Sequence, residues 1–144
     1  MAPSRIHAFL RLPSADRALL VRSGLLVGVA RVALWLFPFN VVRRSLAPRR
    51  RARTQATAEK IGWAVSAAAR LVPRGNCLPQ ALAAESLLLR NGHPVELRIG
   101  VVKTEREGFE AHAWVESGGS IVVGDLTQGL SSFTPLPPLP GGKL

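Results

Sequence analysis

The hydrophobic period of this chain changes once, at Asn91-Gly92, and that change limits the folds open to it. Before it, apolar residues recur at helical spacing: Ile61, Ala64, Ala68 and Leu71 fall in register, and a Leu/Ala-rich run follows from Cys77. After it the period is two. Val95, Leu97, Ile99 and Val101 alternate with Glu96, Arg98 and Gly100; Glu110–Glu116 alternates again; Ile121–Leu126 is a third β-rich run. Helices followed by a three-stranded antiparallel meander make an α+β layout, and 144 residues suffice for one core.

The rest of the chain divides around that switch. Pro13 and Ser14 followed by Asp16 predict a helix start with an acidic first turn, and the helix runs to about Phe37, where Pro38 ends it. Most of its surface is apolar, so it is expected to be mostly covered by protein. Its most apolar stretch, Gly24–Phe39, is interrupted by Arg31 and is short of the ~20 residues a span takes, so a buried or membrane-surface helix is expected and no transmembrane span. Val41–Arg53 carries six arginines and is expected to be a solvated connection before a helix over about Thr54–Leu71. Pro73 to Asn76 breaks that helix, Asn76 caps the one beginning at Cys77, and Asn91-Gly92 stops it. The expected organisation is an N-terminal helical region (1–74), a catalytic core (75–130) and a Pro/Gly-rich extended tail (131–144). Charge follows the same division: residues 1–74 carry net +12 and residues 75–144 net −2.

One cysteine excludes an internal disulfide, and no His/Cys grouping has the spacing of a zinc site, so neither metal nor cofactor is expected. Cys77 is then an inert core thiol, a reactive one or an intermolecular partner. Its place at a helix start favours reactivity, because unpaired N–H groups and the helix dipole stabilise an anionic sulfur there. The hairpin supplies the other two groups. If Gly118-Gly119 forms a two-residue primed turn, Ser117 faces Ser120 and His112 faces Asp125, close enough for an imidazole to donate to a carboxylate. Nucleophile, general acid/base and orienting group thus stand in the order that cysteine hydrolysis needs. The N–H of Cys77 and the side chain of Gln80, one turn on, are candidate oxyanion donors. His7 and His93 are read as surface residues.

The stretch from Cys77 (CLPQALAAESLLLRNGHPVELRIGVVK) through Phe109 (FEAHAWVE) to Asp125 resembles the transglutaminase-like leader peptidases of lasso-peptide biosynthesis, the cysteine-protease half of the split B protein. The LPSADRALL opening, the arginine-rich turn and the helix before the cysteine are similar too, whereas the tail PLPPLPGGKL has no counterpart. The resemblance implies a transglutaminase-like or papain-like fold, with Cys77 as nucleophile, His112 as general acid/base and Asp125 as orienter. It implies a cytoplasmic peptidase that cuts a ribosomally made precursor peptide between leader and core. It also implies a separate leader-binding protein and an ATP-dependent lasso cyclase as partners. Arg43, Arg44, Arg49, Arg50, Arg51 and Arg53 are candidate contacts for that partner or for the leader. Two alternatives stay open. A transglutaminase or acyltransferase would use the same triad on an amine. A non-catalytic protein would use the arginines on nucleic acid or an anionic membrane; nucleic acid is not expected, because no aromatic residue interleaves the cluster.

Overall fold

Local chemistry sets where the helices begin. The computed structural model describes residues 4–48, 56–71, 77–104, 108–124 and 134–135. After a short α1 (Arg5–Leu10), α2 spans Ser14–Leu36 and α3 Phe39–Leu46, each starting directly after a proline. Proline has no N–H to leave unpaired and holds the φ a helix entry needs. α4 (Ala58–Ala69) starts at Thr57, whose hydroxyl accepts from the N–H of Lys60 (3.2 Å). α5 is Cys77–Arg90, with Pro79 in the first turn, where helix N–H groups have no intrahelical acceptor.

α3 corrects the expectation of a solvated connection over Val41–Arg53. Its arginines do not all face water: Nε of Arg43 donates to both carboxylate oxygens of Glu85 on α5 (3.1 and 3.0 Å), and a terminal nitrogen donates to Oε1 (2.6 Å). The two side chains are only 12% and 6% exposed, so this forked pair clamps α3 to α5. Ser86, beside Glu85, donates to the last-turn carbonyl of Leu46 (2.8 Å) and satisfies the end of α3. Asn91 and His93 make a second tie: the N–H of Ala56 donates to Oδ1 of Asn91 (3.2 Å), and Nε2 of His93 lies 2.6 Å from the carbonyl oxygen of Ala56. His93, read from sequence as a surface residue, is half-buried and fixes the approach to α4.

The sheet has four strands in the order β3-β2-β1-β4, with β1 Glu96–Thr104, β2 Gly108–Ser117, β3 Ser120–Val123 and β4 Thr134–Pro135. β4 lies within the segment expected to be an extended tail, and its two residues pair with Gly100 and Val101 of β1. The Gly118-Gly119 turn has the positive φ angles of a primed hairpin (58° and 83°), and Ser117 pairs with Ser120 as expected. The register then shifts. Glu116 faces Ile121, but Val115 faces Val123, leaving Val122 as an extra residue on β3. α4 meets that bulge at Gly62, where a Cβ would run into the carbonyl oxygen of Val122 and sit 2.8 Å from its Cγ1.

Val27 and Ala30 of α2, Ile61 and Val65 of α4, Leu82 and Leu88 of α5, and Leu97, Val115 and Val123 of the sheet form one buried cluster. Residues before and after position 75 therefore share a core. α2 is not covered as expected, however: its buried residues are Ser23, Val27 and Ala30.

Candidate active site

The bulge and the start of α5 meet in one cleft. Cys77, the first residue of α5, lines a cavity of about 370 Å³ together with Gln80, His112 of β2, Ser66 of α4, and Val122, Val123 and Gly124 at the end of β3. Cys77 and Gln80, three apart on a helix, share a face, which puts the thiol and the amide on the same wall.

The thiol is held against the sheet. Ala113 lies beyond the last described β2–β3 pair, and its N–H donates to Sγ of Cys77 (3.4 Å). Because Ala113 directly follows His112 in the chain, this bond fixes the sulfur relative to the histidine's own strand. Sequence reasoning brought Cys77, Gln80 and His112 forward, and the structure brings all three together.

The imidazole is oriented from two sides. Its Nε2 is 2.7 Å from the carbonyl oxygen of Gly124. A carbonyl only accepts, so Nε2 carries the hydrogen and, in the neutral ring, Nδ1 carries the lone pair that can take a proton. Trp114, two residues on along the same face of β2, lies near-parallel to the ring, with centroids 6.3 Å apart and planes 19° apart. Trp114 is itself fixed, its indole N–H donating to Glu116 (2.9 Å).

Gly124 can be no other residue without movement. Its φ is 93°, and an added Cβ would come within 2.8 Å of both the Ala113 carbonyl oxygen and the Trp114 Cβ. The close approach of this backbone to β2 is what delivers its carbonyl to His112. The constant pairing that set His112 opposite Asp125 does not hold past the bulge. Asp125 itself lies outside the described residues, as do Arg49, Arg50, Arg51 and Arg53. Of the two described arginines proposed as contacts, Arg43 is turned inward to Glu85, whereas Arg44 is exposed.

The model of the transglutaminase-like superfamily matches residues 23–137, from within α2 to just beyond β4. The chain belongs to the transglutaminase-like superfamily. Its α+β arrangement, with a cysteine helix on a small antiparallel sheet, is that of a transglutaminase-like domain, and the superfamily's chemistry is of the cysteine-protease and acyltransferase type. No curated protein and no solved structure matches the chain significantly.

Sequence reasoning missed Trp114 beside His112, and Gly124 and Ser66 in the cleft lining. Trp114 was legible as a strand residue two from His112, and Gly124 as a glycine closing an apolar run. Ser66, which offers a hydroxyl to the cleft, gave only the weak signal of one polar residue in an Ala/Val-rich helix. Among the described residues, no group of three or more His, Cys, Asp or Glu could hold a metal ion.

Proposed function

We propose that this chain is a cysteine peptidase that removes the leader from a ribosomally made lasso-peptide precursor. The observation that carries the catalytic part is the tie between Cys77 and Ala113 next to His112, in an open cleft. The resemblance of the segment around Cys77, His112 and Asp125 to leader peptidases supports the choice of substrate.

In this scheme Nδ1 of His112 accepts the thiol proton and Sγ attacks the scissile carbonyl carbon. The oxyanion is met by the N–H of Cys77 and the side chain of Gln80. The C–N bond breaks as the amine leaves with the proton from His112, and the acyl group stays on sulfur as a thioester. Water, deprotonated by His112, then releases the leader's carboxylate and restores the thiol. The carbonyl of Gly124 holds the ring through its Nε2 hydrogen, and Asp125, next in sequence, stabilises the imidazolium.

A cleft of this size grips only a few residues around the cut. A separate leader-binding protein would raise the local concentration of the cut site, to around millimolar for a short flexible link. The freed amine would pass to an ATP-dependent cyclase. Mass spectrometry of full-length precursor incubated with the chain and this partner should show free leader with wild type and none with Cys77→Ala. Near-normal cleavage by Cys77→Ala would remove Cys77 as the nucleophile. Leader coupled to an added amine, in place of free leader, would mark an acyltransferase.

A further inference from the structure

We infer that the outer face of α2 docks this protein on an anionic membrane surface. Six large apolar residues of α2 are exposed: Val21, Leu25, Val29, Val32, Trp35 and Leu36. At ~100° per residue they fall within an arc of about 120°, forming one stripe along the helix. Leu25 is 64% and Trp35 85% exposed, and Phe37, at the end of the helix, is exposed as well. The opposite face carries Ser23, Val27 and Ala30 into the core.

By length and composition this helix could cross a membrane, and only 17% of its most apolar window is buried inside the protein. Spanning would pull Val27 and Ala30 out of the cluster they share with α4 and α5. Lying flat keeps that cluster intact and covers only the outer stripe.

Charge selects the occupant. Exposed Arg22 borders the stripe on one side, where its long cationic side chain reaches lipid headgroups while the apolar stripe enters the acyl boundary. The one acid of α2, Asp16, is taken up by Lys60 of α4 (2.8 Å). Residues 1–74 carry net +12, which anionic lipid attracts and a second copy of this chain would repel. Trp35 and Phe37 at one end are residue types that settle at the headgroup level.

The test is flotation of the full chain with phosphatidylcholine vesicles, with and without phosphatidylglycerol, at low and high salt. The expected result is binding to the anionic vesicles that weakens with salt. Leu25→Glu with Val32→Glu should weaken it roughly tenfold or more, and Arg22→Glu roughly tenfold. Circular dichroism of these variants should match wild type, since the altered residues are exposed. In the wild-type chain, brominated lipid should quench tryptophan emission, and Trp35→Phe should remove most of that quenching. Absence of flotation at low salt, or unchanged binding by the double variant, would overturn the proposal. So would resistance to alkaline carbonate, which marks a span, or a dimer that the double variant dissolves. Cleavage of soluble precursor by the double variant should stay normal, so docking and peptidase activity fail separately.

Discussion

The two longest of the described helices, both rich in apolar residues, have opposite fates. α5 buries nine of its 14 residues, Glu85 and Ser86 among them, while α2 buries three of 23. The difference lies in neighbours rather than composition. α5 is enclosed by α2, α3, α4 and the sheet, so even a carboxylate on it must find a partner inside the protein. α2 meets α3, α4 and α5 from one side. Apolar character in a helix therefore signals that it will be covered, without saying by what.

Substitutions can break or sharpen that contrast. Glu85→Ala, which removes the carboxylate facing Arg43, should cost about 3–5 kcal/mol in urea unfolding, because it strands buried charge. A loss below about 1 kcal/mol would show that α3 is not clamped to α5. Leu88→Ala, at a fully buried position on α5, should leave a cavity costing about 2–5 kcal/mol. Gly124→Ala probes the strand side of the cleft: the displaced carbonyl should cut turnover roughly a hundredfold, with a smaller change in KM. Equal turnover would mean that Gly124 does not orient His112. The smallest effect is expected on α2, where Leu25→Ala should change stability by no more than about 0.5 kcal/mol. Should it cost as much as Leu88→Ala, the outer face of α2 is packed in solution and the contrast collapses.

Much of this was legible in the sequence, and the failures share a cause. The period switch gave the α+β order, Cys77 was placed at a helix start, and Gly118-Gly119 set the hairpin's first pair; all rest on neighbouring residues. The bulge was not legible, because it answers to Gly62, a contact between segments distant in sequence. α3 was hidden for the same reason, since its arginine run reads as solvated until Glu85 is known to face it. A sharper reading had one clue: a lone carboxylate in the middle of ALAAESLLL must either break the helix's burial or bring a cation with it. β4 left only a proline-rich signature, which suits an edge strand as well as a tail.

The bond between Ala113 and Cys77 joins positions 36 apart in the chain, and the one between His112 and Gly124 joins positions 12 apart. Neither can close early in synthesis. Until β2 has been added the thiol of Cys77 has no strand to rest on, and the imidazole gains its carbonyl only after residue 124 has been added. Non-local contacts of this kind form late in folding. A nascent chain therefore carries a cysteine without an assembled cleft until β2 and Gly124 are both in place.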